Sequence, residues 1–312
     1  MRDTVKKILK STAALGAALL AGLSLAGAAT AQTDYAAIEA SPALWSISDE
    51  DSTVYLFGTV HILPPELTWR TPAVDAALED AEIVYFEADA ISPEAQQQVA
   101  ALIPQIGLNE SGVTLSSLIS DEAKADMATI AERLGAPADV LAAQMDPLKP
   151  WLASVNLAVL QIVAGGYDPN SGVEARLSDA AREAGKEFGY FETVAEQLGF
   201  LSGQPLETQV ANFEVGIAQM VEEPELLTEM VQGWAVGDMA TLDRVFNQDM
   251  REASAALYQT LIVERNQNWI PQIEAALASD QDAFVAVGAG HMPGESGVIA
   301  LLEANGHAVT RR

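Results

Sequence analysis

Thr53-Val54-Tyr55-Leu56-Phe57-Gly58-Thr59-Val60-His61 decides how the rest of the chain is read. Its β-branched and aromatic residues make a short buried strand that stops at a glycine and hands over to a histidine. Near the other end the pattern returns as Phe284-Val285-Ala286-Val287-Gly288-Ala289-Gly290-His291. The chain has only 3 histidines, and two of them stand in this setting. His307, without a glycine partner, reads as a structural or surface residue.

Working outward, Leu44 to Ser48 and Thr53 to Phe57 flank Asp49-Glu50-Asp51-Ser52 and read as a hairpin. Thr71 caps, and Pro72 starts, a helix that runs to about Asp80. Ile83 to Phe86 is the next buried strand and ends on Glu87. Glu187 to Phe191 is a third, with Glu192 at its end and a capping box, Thr193-Val194-Ala195-Glu196, opening the following helix. A helix from Glu174 to Ala184, closed by Gly185, precedes it. Strands alternating with helices predict an α/β core. Two stretches, roughly 92–165 and 205–280, read as almost wholly helical. In the first, Trp151 to Ala164 is apolar enough to be a buried core helix or the wall of a groove. In the second, a long helix runs from about Ala253 through Trp269. Phe284 to Val287 is the last core strand, a helix spans about Val298 to Ala304, and His307 to Thr310 reads as a short edge strand.

Composition narrows the function. Arg2, Lys6, Lys7 and Lys10 precede an apolar run from about Ala13 to Ala28, and Ala29-Thr30-Ala31 follows. This is the layout of a cleaved signal peptide over residues 1–31, which leaves one domain of about 280 residues over 32–312. The expected location is periplasmic or secreted. No later stretch reaches the roughly 18 to 20 apolar residues of a membrane span, so no stable membrane insertion is expected after cleavage. Acidic residues number 44 against 16 basic ones. That leaves no basic footprint for nucleic acid, and the field favours cations. Alternatively, the acid simply keeps the surface soluble in a salty medium. The expected partners are a peptide or small-molecule substrate and, as an option, a second copy of the chain. The chain has no cysteine, which excludes thiol catalysis and disulfides.

Open α/β sheets place ligand-binding groups beyond the carboxyl ends of their strands. Gly58 and Gly288 permit a tight turn or close backbone approach there. If their strands are neighbours, His61 and His291 share one pocket, and Glu87 joins them. Two neutral imidazoles and a carboxylate suit zinc, manganese, cobalt or iron, with an open position for an attacking water. The plainer reading is a pair of hydrogen-bonded structural histidines. Neither a His-Glu-x-x-His helix nor a Gly-x-Ser-x-Gly elbow is present.

The order of these motifs resembles the TraB/PrgY/GumN family, which includes the Tiki metalloproteases and is distantly related to ChaN-like haem-binding proteins. The resemblance runs from about Leu44 to Thr310. It rests on Tyr55 to His61, Phe86-Glu87, Gly172-Val173-Glu174, Phe191-Glu192-Thr193, Arg265-Asn266 with Trp269, and Val287 to His291. It implies a mixed α/β fold, with a central mixed sheet built from two approximately repeated halves and a helical insertion. It also implies a manganese- or cobalt-dependent peptidase or amidase. His61 and His291 then become metal-site residues and Glu87 a ligand or general base. Glu192 takes a second acidic role, and Glu174 is a further candidate. Arg265 and Asn266 match the family's Arg-Asn element, with Arg265 meeting a substrate carboxylate or an oxyanion. The alternative is a haem, metal or peptide binder without turnover, in which the same histidines are ligands.

Overall fold

The computed structural model describes residues 33–312, so the signal-like residues 1–31 lie outside it. Six strands form one mixed sheet: β1 Leu44–Ser48, β2 Thr53–Thr59, β3 Ile83–Phe86, β4 Glu187–Tyr190, β5 Ala283–Gly288 and β6 Thr310–Arg311. Their order is β4-β3-β5-β2-β1-β6. β4, β3, β5 and β2 are mutually parallel, while β1 runs antiparallel between β2 and β6. β5 lies in the middle of the parallel part and is apolar along its length, as a strand covered on both faces must be. β4, at the edge, is exposed or half-buried throughout.

The hairpin forms as expected, with Asp49 accepting from the Ser52 backbone N–H and hydroxyl in the turn. β2 does not stop at its glycine. It continues to Thr59, because β5 supplies partners along that whole length, Gly58 opposite Val287 and Thr59 opposite Gly288. Gly58 serves a close approach instead: a Cβ there would lie 3.0 Å from Ala289 Cα.

The chain divides into two compact units. The sheet unit comprises residues 34–89, 171–193 and 228–312. Its core includes Leu56, Val285, Val287, Trp269, Ile273 and Leu302. Helices Pro72–Asp80, Val173–Glu183, Glu264–Leu277 and Val298–Ala304 belong to it. The helical unit takes in residues 90–170 and 194–227. There, Pro93–Ile106, Asp121–Arg133, Pro150–Ala164 and Leu206–Glu222 enclose Leu115, Ile130, Leu157, Phe213 and Ile217. The apolar stretch from Trp151 is thus a core helix of this unit. The helical region expected over 205–280 is shared: its first part belongs to the helical unit and the remainder to the sheet unit. Among the described residues, no helix is long and apolar enough to cross a membrane.

Two local expectations differ from the structure. The long helix does not begin at Ala253. Ser254 is extended, with φ −155° and ψ 94°, and its hydroxyl accepts from Leu257 N–H to cap a new start. That helix passes through a π-helical turn, Gln259–Val263, into Glu264–Leu277. The terminal strand is Thr310–Arg311 rather than His307 to Thr310, because the His307 N–H closes the preceding helix on Leu302 O. The His307 ring lies 3.1 Å from a Glu274 carboxylate oxygen.

Candidate functional site

Each of the four parallel strands delivers one side chain just past its carboxyl end: His61 from β2, Glu87 from β3, Glu192 from β4 and His291 from β5. A fifth comes from the helix Val173–Glu183, whose first N–H donates to Val60 O at 3.0 Å and so sets Glu174 beside His61. Arg265 and Asn266 enter from the first turn of Glu264–Leu277. Every candidate inferred from sequence therefore lies in the sheet unit.

Arg265 is the hub. It is 7% exposed, so each of its N–H groups needs a partner. Nε donates to Glu192 Oε1 at 2.7 Å and Nη2 to Glu192 Oε2 at 2.9 Å, a bidentate pair. Nη2 also donates to Glu87 Oε2 at 2.6 Å. Nη1 donates to Leu261 O at 3.3 Å and to His291 Nε2 at 3.1 Å. Leu261 lies in the π-helical turn that leads into this helix. These five acceptors match the five N–H groups of a guanidinium, so in this arrangement Arg265 has none left for a substrate carboxylate. The guanidinium carbon also lies 4.8 Å from the centroid of the Trp269 ring, whose N–H donates to Glu192 Oε1 at 2.9 Å.

His291 is buried and its tautomer is assigned by its neighbours. Nδ1 lies 2.6 Å from Asn266 Oδ1, which can only accept, so Nδ1 carries the proton and Nε2 accepts from Arg265. Burial holds its pKa down, at about 3, so the ring is neutral. Asn266, wholly buried, also donates to His291 O at 3.2 Å and Ser296 O at 2.7 Å. It positions the histidine and its loop rather than facing a ligand. A second π-helical turn, Asp243–Gln248, backs the same loop, with Asn247 donating to Pro293 O and Phe246 against Gly290.

The two strand-end carboxylates move apart. Burial pushes Glu87 up, but Arg265, then His291, His61 and the Gly288 N–H, outweigh it and bring the carboxyl down to about 2. The Gly288 N–H donates to Glu87 Oε1 at 2.7 Å, and a Cβ at this glycine would crowd that oxygen at 3.0 Å. Glu192 moves upward, because burial outweighs its bonds from Arg265 and the nearby charge of Glu87 adds to it.

His61 is the open member. Its side chain is 73% exposed, with Nδ1 2.7 Å from Glu174 Oε1. The Glu174 charge raises its pKa to about 9, against the opposing effect of its surroundings and with help from Glu87. With the His61 ring open to solvent, the pair adds no more than about 1 kcal/mol to stability. Thr59 Oγ1 donates to the same Glu174 oxygen. The other oxygen, Oε2, is buried and has no hydrogen-bond partner among the described residues.

A family model described as "TraB/PrgY/gumN family" matches residues 43–311. The chain belongs to the TraB/PrgY/gumN family. Comparison with curated proteins and with solved structures returned no match. The family match spans the sheet, the helical unit and every side chain described above.

Sequence reasoning passed over several contributors. Thr59 carries no side-chain signature of a site, and Gly288 was expected as a close backbone approach rather than as the N–H donor to Glu87. Phe246, Asn247 and Leu261 lie in π turns, which helical periodicity does not distinguish from α-helix. Trp234, whose N–H donates to Gly58 O at 2.8 Å, buttresses the His61 strand from a helix remote in sequence.

Proposed function

We propose that the protein is a divalent-metal-dependent hydrolase of the peptide or amide class. The observation that carries this reading is the buried, unpartnered Oε2 of Glu174 on a carboxylate already paired with an exposed histidine. Leaving a carboxylate oxygen desolvated without a donor is costly, and a cation removes that cost. Imidazole with carboxylate suits manganese, cobalt or zinc.

The fit is uneven around the site. Among the described residues, no three His, Asp or Glu side chains form a ready ligand set. Glu174 Oε2 is unpartnered, and His61 becomes a donor when an ion displaces the proton that the Glu174 charge holds on its ring; these two residues would hold the ion. His291 Nε2 and Glu87 Oε2 are engaged by Arg265 and become donors only when it releases them. When bound, such an ion would supply Lewis acidity toward a carbonyl oxygen and a more acidic water. The chain's own residues do the rest. Glu174 holds His61 in place, Asn266 fixes the neutral tautomer of His291, and Arg265 balances the carboxylate charge. Glu87, its two oxygens held by Arg265 and the Gly288 N–H, keeps a fixed negative charge beside His291.

We read the two strand–glycine–histidine units as the two halves of an internal repeat, supported by the parallel pairing of β2 with β5. The basic-then-apolar composition of residues 2–31 supports an exported, periplasmic or secreted, location. The test is cleavage of a quenched-fluorescence peptide library by Mn²⁺-loaded protein, with Mn²⁺ binding measured by calorimetry in parallel. Cleavage lost on chelation and in His61→Ala supports the reading. Mn²⁺ binding without any turnover leaves a binding protein, and cleavage indifferent to chelator and to His61→Ala refutes the metal-dependent hydrolase.

A further inference from the structure

A seat for an ion at Glu174 depends on one of its two carboxylate oxygens being left bare, and Thr59 stands where that is decided. Thr59 closes β2 and lies opposite Gly288 of β5, so its backbone is held by the parallel ladder. The residue is 2% exposed, and branching at Cβ restricts the directions its hydroxyl can take. The hydroxyl donates its one proton to Glu174 Oε1, the same oxygen that lies 2.7 Å from His61 Nδ1. Two donors from the end of one strand therefore fall on one oxygen. Oε2 stays buried and without a hydrogen-bond partner among the described residues.

An incoming ion affects the two donors differently. The His61 proton is displaced when the ring becomes a ligand, because a metal-bound imidazole must be neutral. The Thr59 hydroxyl keeps its proton and goes on donating to Oε1. It also brings no charge to repel the ion, as a lysine or arginine in its place would. Thr59 is thus the donor to Glu174 that serves both with and without an ion.

We propose that Thr59 is a positioning residue for a divalent ion: its hydroxyl holds the Glu174 carboxylate in one orientation, with Oε1 engaged and Oε2 free for the ion. This rests on the metal-dependent reading above and adds a residue that acts on the ion only through Glu174. Without the hydroxyl, the carboxylate turns about its terminal bond, shares both oxygens with His61 Nδ1, and loses its bare oxygen.

The experiment compares Mn²⁺ binding by calorimetry in the wild-type chain, Thr59→Val and Thr59→Ser. The first variant keeps the shape and removes the hydroxyl, and the second keeps the hydroxyl and removes the methyl group. Thr59→Ala takes the place of Thr59→Val if that variant does not fold. The expected result is Mn²⁺ binding about tenfold or more weaker in Thr59→Val and within about threefold of wild type in Thr59→Ser. In the metal-free proteins, the ring ¹⁵N signals of His61 should move in Thr59→Val and be restored in Thr59→Ser. Wild-type affinity in Thr59→Val overturns the proposal. Equal weakening in Thr59→Val and Thr59→Ser overturns it too, since packing rather than the hydroxyl would then be at work. In either of those cases, His61-dependent Mn²⁺ binding by wild type leaves the metal-dependent reading standing. If wild type binds no Mn²⁺, both fall.

Discussion

Asn266→Ala tests how the cluster is held. The amide serves two buried groups of His291 and one half-buried carbonyl: it accepts from His291 Nδ1 at 2.6 Å and donates to His291 O at 3.2 Å and Ser296 O at 2.7 Å. Truncation orphans all three in a position with no solvent access. Each buried group left without a partner costs about 1–3 kcal/mol, and local relaxation recovers part, so a loss of about 3 kcal/mol is expected. For a unit of this size that lowers Tm by roughly 6–12 °C. Four of the five tryptophans, Trp45, Trp69, Trp234 and Trp269, lie in the sheet unit, so fluorescence-monitored urea unfolding follows the affected part. Three histidines make the imidazole ¹⁵N spectrum simple, and it reports the tautomer directly. The wild-type chain should show His291 protonated at Nδ1, and Asn266→Ala should lose that preference. Asn266→Asp keeps the acceptor but sets a charge beside the ring, so the His291 pKa should rise from its depressed value. Stability within about 0.5 kcal/mol of wild type in Asn266→Ala, with the tautomer unchanged, would refute the positioning role.

In chelator-treated protein, acid should weaken the fold in two steps. His291 is depressed from 6.5 to about 3 and Glu87 from 4.5 to about 2, so both contribute stability that is complete above their unfolded values. It is lost as pH falls, first below about 6.5 and then below about 4.5, about 5 kcal/mol from His291 and about 3 kcal/mol from Glu87. Unfolding free energy that is flat from pH 7 to pH 4 contradicts this. Glu174→Gln removes the main cause of the raised His61 pKa, so an NMR titration should find it fallen from about 9 toward 6.5. An unmoved His61 titration disproves the pairing. Gly288→Ala sets a Cβ 3.0 Å from Glu87 Oε1 and 3.5 Å from His291 Cδ2, and should cost about 1–3 kcal/mol in urea unfolding. A neutral effect would mean that Glu87 does not sit on this backbone.

Much of the site was legible because strand ends announce themselves. Short strand-forming runs ending near Gly58, Glu87, Glu192 or Gly288 marked the four parallel strands, and parallel strands gather their carboxyl ends at one edge. Sequence left open whether the two histidine strands were neighbours. The β2–β5 pairing depends on contacts more than two hundred residues apart, with no local signal. Which cation sits among the carboxylates was equally illegible. The Arg265 side chain folds back on the Leu261 carbonyl four residues earlier, and nothing in the sequence marks that bond. Glu174 looked secondary because it begins a helix rather than ending a strand. The Val173–Val60 backbone bond is what brings it to His61. The division of 205–280 between two units was hidden because helical periodicity is the same on both sides of the boundary.

The central claim is that His61 and Glu174 form the seat of a divalent ion beside the Arg265 cluster. A titration of ¹⁵N-histidine-labelled protein with Zn²⁺, a diamagnetic probe, tests it most directly. The account predicts that one equivalent moves the ring nitrogens of His61, leaves those of His307 in place, and loses its effect in Glu174→Ala. Shifts confined to His307, or no shift of His61 at one equivalent, would contradict it.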